Sequence, residues 1–338
     1  MPSTLPVGKL PASLLEKLIS QAPISDTRVL FGPGIGRDCA VLDMGERLLV
    51  VKTDPITFAT QEIGWYAVQV NTNDIATTGA IPRWFMLTLL LPESSTTPEL
   101  VETITAQVYS ACRELGISVV GGHTEITYGL DRPILVCTLI GEVDRDKLVT
   151  PQGANTGDSI LLTKGVPIEA TSIIAHEFPD RLAEFLASEE IQQAKDYLHD
   201  PGISVLRDAQ IATEAGKVTA MHDPTEGGLA SALWELAIAS QRTLVFDPSL
   251  VLVPPLPAKI CQALELDPLA AIASGALLLT APPQDAEAIC RALHNQDIPC
   301  QVIGTVYEGT ATVWKQTPNG RQTLPQPSSD EVARLFDN

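Results

Sequence analysis

The residues best able to do chemistry in this sequence are acids set beside glycine or at the ends of apolar runs. Asp38 follows the stretch Gly32-Pro-Gly34-Ile-Gly36 and leads into a strand-like run. Asp54 ends another run, in Val50-Val-Lys52-Thr-Asp54-Pro55. Asn71 and Asp74 stand three apart in a helical pattern and so share a face. Glu125 comes just after Gly121-Gly122-His123-Thr124, which reads as a loop closing a strand. Asp223 and Glu226 flank Pro224 at a helix start, followed by Gly227 and Gly228. Strand ends and helix starts are where α/β proteins place ligands.

Carboxylates converging on one cleft repel one another unless cations sit between them. Hard oxygen ligands select Mg²⁺ or Ca²⁺, and Mg²⁺ usually shares its shell with substrate phosphates. A glycine-rich loop offers backbone amides to phosphate oxygens at close range. The set together predicts a triphosphate bound as a metal complex. Taken singly, each residue also has a plainer reading. Asp223-Pro224-Thr225-Glu226 makes a good N-cap, Pro at N1 and Glu at N3. Asp54-Pro55 fits a simple turn. Asn71 and Asp74 could be a solvated stripe, although Ala67, Val68, Val70, Ile75 and Ala76 leave little room for one. His123 alone is more often a satisfied histidine than a ligand or base.

The common single-motif enzymes are absent. There is no GxxxxGK[ST], no HExxH and no GxSxG, and Gly32-x-Gly34-x-Gly36 fails the dinucleotide spacing. The formal charge of −19 makes nucleic acid and anionic membrane poor partners. An anionic ligand then needs bound cations or backbone amides. With 45% hydrophobic and 19% charged residues over 338 positions, the chain can bury a sizeable core, and ~150 residues per domain suggests two. No apolar run approaches the ~20 residues that cross a bilayer, and the start carries no secretory signal pattern. The six cysteines form no CxxC and read as small buried hydrophobes of a reducing compartment, so the cytoplasm is expected.

The elements that must position these residues alternate. A short amphipathic helix is read over 9–22, strands at 40–42 and 48–51, a helix over 62–80 and a buried strand over 83–91. A helix over 97–115 and strands at 117–120 and 134–140 follow. Around 144–158 the texture turns to charge, Pro, Gly and Asn, which marks a domain boundary. The second half restarts with a strand at 159–163 and helices near 167–176, 180–198 and 203–215. Then come a strand at 218–221, a helix over 225–240, strands at 244–246 and 276–280, a helix over 284–295 and a strand over 301–306. The expected domains are 1–150, 151–315 and a polar tail, 316–338, with a last short helix at 330–336. The fold class is α/β or α+β, helices layered on sheets.

Six motifs in order carry a resemblance: Gly34-Ile-Gly-Arg-Asp-Cys-Ala-Val41, Thr53-Asp54, Asn73-Asp-Ile-Ala-Thr-Thr-Gly-Ala-Ile-Pro82, Gly121-Gly-His-Thr-Glu125, His222-Asp-Pro-Thr-Glu-Gly-Gly-Leu229 and Ser274-Gly-Ala-Leu277. Together they resemble the aminoimidazole ribonucleotide (AIR) synthase superfamily over about residues 30 to 310. Through its His222-Asp-Pro-Thr run the chain looks most like the HypE-related hydrogenase maturation branch. The resemblance implies an N-terminal sheet that pairs into a barrel-like homodimer, a C-terminal α/β sandwich, and ATP in the cleft between the domains. It places Mg²⁺ on Asp38, Asp54, Asp74 and Asp223. Gly34, Gly36, Lys52, Asn71, Glu226 and Gly227 fall to nucleotide binding. Asp54, Asp74, His123 and Glu125 fall to catalysis.

The implied activity is transfer of the ATP γ-phosphoryl group to a small acceptor. The alternative is a catalytically reduced nucleotide-binding regulator or scaffold. The chain departs from the branch at three places. Arg37-Asp38 stands where many relatives have two adjacent acids, His123 where they usually have Asp, and Glu226 where they usually have Arg. HypE proper ends in a cysteine that carries a carbamoyl group, whereas the last cysteine here is Cys300. No carbamoyl transfer to the C-terminus is therefore expected. Asp54→Asn and Asp74→Asn are each expected to raise the stability of the ligand-free protein by removing a repelling charge.

Overall fold

The computed structural model describes Leu5, Leu10 and residues 12–34, 36–57 and 62–336. In the first half, α1 (Ala12–Ile19), β1 (Val29–Phe31), β2 (Ala40–Asp43) and β3 (Arg47–Ile56) precede α2 (Ile63–Ala76). β4 (Ile81–Pro92), α3 (Pro98–Glu114), β5 (Ser118–Thr127) and β6 (Ile134–Asp144) complete it. The strands form one sheet in the order β1-β2-β3-β6-β4-β5, antiparallel except for the parallel pair β4 and β5. Asp54 of β3 opposes Cys137 of β6, which opposes Leu87 of β4, which opposes Gly122 of β5. That register fixes which side chains share a face.

One face lies under α2 and α3 and buries Val50, Phe85, Leu89, Leu135, Cys137 and Leu139. The other face carries Leu49, Val51, Trp84, Met86, Leu90, Val136 and Ile140, all only half-buried. β5 is the edge strand and exposed over nearly its whole length. α3 starts as its sequence prescribes, with the Thr97 hydroxyl accepting from Leu100 N–H at 3.3 Å and proline in the first turn. It stops at Gly116, which adopts a left-handed φ of 67°.

The second half runs β7 (Ser159–Thr163), α4 (Ile168–Glu177), α5 (Pro179–Leu182), α6 (Ser188–Asp196), α7 (Leu206–Ala215), β8 (Ala220–His222), α8 (Gly228–Ser240) and β9 (Thr243–Phe246). It continues with α9 (Pro255–Ala263), β10 (Leu278–Ala281), α10 (Pro283–His294), β11 (Cys300–Tyr307), β12 (Thr312–Thr317) and β13 (Gly320–Thr323). Seven strands pair in the order β13-β12-β9-β11-β7-β10-β8. Helices pack against this sheet in two apolar clusters, and a third gathers α4, α5, α6 and α9 on one another. No helix among the described residues is long and apolar enough to cross a membrane. All six cysteines are free, with Cys290 and Cys300 sulfurs 3.2 Å apart.

α2 belongs to both halves. Ile63, Ala67, Val68 and Ile75 pack on the first sheet. Tyr66 joins the cluster around α4, and Ala76 joins the one under α7 and α10. At its last turn the Asn73 amide donates to Ile203 C=O at 2.7 Å and accepts from Val205 N–H at 2.9 Å. The receiving segment is itself pinned. Lys164 Nζ donates to Ser204 C=O at 2.5 Å and lies 3.2 Å from Asp208, whose other oxygen accepts from Thr163 at 2.7 Å.

Several sequence expectations change in detail. Gly121-Gly122-His123-Thr124 is not a loop; β5 runs through it, because pairing with β4 outweighs the low strand preference of glycine. The helix expected over 180–198 is two helices broken at 183–187. The expected polar tail from 316 instead supplies the end of β12 and all of β13, an edge hairpin whose polar exposed residues hide its strand pattern. Part of the first expected helix (residue 11 and before, apart from Leu10) and residues 337–338 lie outside the described residues.

Candidate active site

The cleft acids are held by four elements from both halves. Lys52 and Asp54 alternate on the covered face of β3, and Lys52 is buried. Its ammonium lies 2.9 Å from Asp74 Oδ2 of α2 and 3.7 Å from Asp54 Oδ2. Cys39 Sγ donates to Asp74 C=O at 3.3 Å, which ties α2 to the loop carrying Asp38. Asp38 Oδ2 and Asp223 Oδ1 lie 3.9 and 3.8 Å from the same ring nitrogen, His222 Nδ1. The opposite ring nitrogen sits 2.6 Å from Glu235 Oε2 of α8.

Asp223 is 1% exposed, and neither of its carboxylate oxygens has a hydrogen-bond partner. It is not an N-cap. α8 begins five residues later, at Gly228, with Gly227 as its cap, and the two take left-handed φ values of 59° and 77°. The local sequence thus turns twice on glycine as the helix starts, which leaves Asp223 away from the helix amides. Burying a carboxylate without partners costs several kcal/mol unless a ligand compensates.

The electrostatics show one coupled group. Burial drives the Asp74 carboxyl well above the usual carboxylate range, against the pull of Lys52 and with the push of Asp223 and Asp38. Burial raises Asp223 likewise, opposed by His222. Burial works against the Lys52 charge, but Asp74, Asp38 and Asp54 hold its pKa above the ordinary lysine value. Burial also works against charge on His222, and Asp223, Glu235 and Asp38 carry it well above the ordinary histidine value. Lys52 and His222 are therefore the cations between these carboxylates. Asp38, His222 and Asp223 each offer an atom within 4.8 Å of the others, the one such triad found among the described residues.

Of the residues singled out by sequence, Asp38, Lys52, Asp54, Asp74 and Asp223 come together. Asn71 is fully buried on the same helix, its Nδ2 donating to Ala67 C=O at 2.8 Å and its Oδ1 left without a partner. Gly36 has a φ of 68° and passes α8 so closely that a Cβ would sit 3.3 Å from Glu235 C=O. Gly34 is bridged to Arg37 in the same loop.

Gly227 is committed elsewhere: its N–H donates to Asp330 at 2.7 Å. Glu226 is exposed. His123 and Glu125 pair with each other at 3.0 Å on β5, opposite Thr88 and Leu90 on the half-buried face. They lie three strands from Asp54, about 14 Å by strand spacing, and on the other side of the sheet. Sequence reading missed His222 and Glu235 as site residues, and no spacing rule would have paired them. Asn73 was missed as well, although an amide inside an apolar helical pattern is a signal that could have found it.

The donors fit a hard cation. They are carboxylate oxygens, two of them orphaned and buried on Asp223, beside a glycine loop.

The description "AIR synthase related protein, N-terminal domain" matches residues 36–143, and "AIR synthase related protein, C-terminal domain" matches 155–315. The chain is 26% identical to a provisionally named hydrogenase expression/formation protein of Methanocaldococcus jannaschii, over 97% of each chain. It is 30% identical to carbamoyl dehydratase HypE of Cupriavidus necator, over 89% of this chain and 86% of that one. Its fold is similar to the crystal structure of hydrogenase maturation protein HypE in complex with ATP, with a TM-score of 0.71 and 25% identity over 94% of this chain and 91% of that one.

Proposed function

The chain belongs to the AIR synthase related family, and from that premise we propose that it is an ATP- and Mg²⁺-dependent enzyme that moves the γ-phosphoryl group to a small acceptor. The observation that carries the reading is Asp223, buried with both oxygens unpartnered beside Asp38, Asp74 and two resident cations. The ATP-bound HypE structure supports ATP as the nucleotide.

Asp38, Asp54, Asp74 and Asp223 would hold Mg²⁺, which when bound neutralises phosphate charge in a cleft that otherwise repels it. Lys52 is kept charged by its carboxylate neighbours and so can face a phosphate at any physiological pH. The amides of Gly34 and Gly36 would serve as donors to the phosphate chain, and Asn71 Oδ1 keeps an open acceptor. The protein's work is positioning and charge stabilisation.

The half-buried apolar face of the first sheet, with its bare edge strand, fits a homodimer that stacks two such faces. His123 and Glu125 would then act from that interface and not from within the cleft of their own chain.

Thermal melts with ATP, with and without Mg²⁺, test the reading. At a hundredfold excess over Kd, ATP with Mg²⁺ should add about 2.7 kcal/mol of stability, and ATP alone far less. An unchanged melt with both present overturns the site. Release of ADP under the same conditions separates an enzyme from a binding-only regulator.

A further inference from the structure

A second set of buried oxygens lies where α2 meets α4 and the C-terminal segment, apart from the acidic cluster. Glu169, in the first turn of α4, is 5% exposed, and its Oε2 has no hydrogen-bond partner of good geometry. Tyr66 of α2 is 8% exposed, and its hydroxyl is also unpartnered. The hydroxyls of Ser274 and Tyr66 stand beside the Glu169 carboxylate, and Glu226 and Asp330 add negative charge. Asp330 is fixed in place by the N–H groups of Gly227 and Val332, at 2.7 and 2.8 Å.

No cation is among the groups acting most strongly on Glu169. Burial pushes its carboxyl up to about 7, and burial pushes Asp330 up to about 6. Two buried carboxylates, Glu169 and Asp330, thus act on one another here with Glu226 exposed at the edge, and neither Glu169 Oε2 nor the Tyr66 hydroxyl makes a well-formed hydrogen bond. A cluster this charged is costly without a positive ligand.

The spacing says which kind. A metal ion gathers its ligand atoms within a few ångströms, and Glu169, Glu226 and Asp330 do not form such a group, whereas Asp38, His222 and Asp223 do. Separated carboxylates with hydroxyls between them suit a larger cation that carries several N–H donors. Tyr66 and Asp74 are eight residues apart on α2, about 12 Å along its axis. Glu226 follows Asp223 by only three residues.

We propose that Glu169, Tyr66 and Asp330 form the subsite for an organic nitrogen cation, an ammonium, amidinium or guanidinium head group, on the phosphoryl acceptor. Calling the ligand the acceptor rests on the function proposed above; the subsite itself does not. Such an acceptor would anchor its cation at Glu169 and reach along α2 to the cleft.

Melting of the full chain with methylguanidinium or ethylammonium chloride tests it, with sodium chloride at equal ionic strength and neutral methylurea as controls. The two organic cations should raise the melting temperature, and the controls should not. Glu169→Gln should weaken their binding by roughly tenfold, the loss of one charge-assisted contact, while the shift given by ATP with Mg²⁺ persists. Should Glu169→Gln fail to fold by circular dichroism, Asp330→Asn carries the same expectation, with one of the two oxygens that accept from Gly227 and Val332 kept. Organic cations that act no more strongly than sodium overturn the subsite, as does binding that survives both substitutions. A shift by Mg²⁺ alone that Glu169→Gln abolishes would assign a metal there instead, and also overturns it. Cation binding lost in Glu169→Gln, in a protein that shows no response to ATP with Mg²⁺, supports the subsite and overturns the phosphoryl-transfer reading.

Discussion

At the scale of single residues, the two most buried acids of the cleft should respond to neutralisation in opposite directions. Asp223 has no hydrogen-bond partner, and His222 keeps Glu235 at 2.6 Å without it. Asp223→Asn should therefore raise the melting temperature of the ligand-free protein and abolish the added stability from ATP with Mg²⁺. Asp74 forms the closest ion pair of buried Lys52, at 2.9 Å. Breaking a buried pair strands its partner, so Asp74→Asn should lower stability, on the order of 3 kcal/mol. The sequence alone suggests a gain at both Asp54 and Asp74, because it shows the carboxylates but not the lysine between them.

Glu169 supplies a pH signature. Its folded pKa of about 7 lies above the ordinary 4.5, so the folded state favours the protonated form. The stability this contributes is complete below pH 4.5 and is lost as pH rises through 7. In urea titrations from pH 5 to 8, Glu169→Gln should gain on the natural protein with rising pH, by a few kcal/mol at most. A constant difference across that range would remove Glu169 from the buried charged group.

At the scale of elements, α2 does more than carry site residues. Asn73→Ala removes two buried hydrogen bonds and leaves Ile203 C=O and Val205 N–H unsatisfied, which should cost about 2–4 kcal/mol in chemical denaturation. A cost under about 0.5 kcal/mol would mean that the apolar surfaces alone join the halves.

The elements themselves were largely readable. Apolar runs bounded by Gly and Pro pointed to β4 and β6, and the four-residue spacing of Leu100, Ile104, Val108 and Cys112 on one face pointed to α3. β5 was cut short because its two glycines read as a turn, and only pairing with β4 makes them strand. β13 escaped because an edge hairpin buries nothing and needs no apolar alternation. The acids of the cleft were legible because carboxylates beside glycine at element ends are chemically conspicuous. Lys52 stood out only through the family pattern. His222 with Glu235, and Tyr66 with Glu169, were beyond reach, since each pair joins distant segments that only the packed fold brings together.

At the scale of the whole molecule, the uncovered sheet face sets the expected assembly. Ile140 sits between Val51 and Trp84 on that face. If two copies stack there, Ile140→Glu buries a charge against its own counterpart near the symmetry axis. The natural protein should sediment as a dimer and Ile140→Glu as a monomer with an unchanged far-ultraviolet spectrum. A monomeric natural protein would refute the stacking and return His123 and Glu125 to the surface.

The sharing of α2 has one more consequence, and it concerns calorimetry. A helix whose faces serve three separate apolar clusters cannot melt with one half and stay folded with the other. Heating should therefore give a single endotherm whose calorimetric and van't Hoff enthalpies agree per cooperative unit. Cutting the chain at 150 would leave Tyr66, Trp65, Val70 and Ala76 facing water on one fragment, and α4 and α7 stripped of their cover on the other. Neither fragment should be able to reach the bench alone, and the two would have to be synthesised together to find each other.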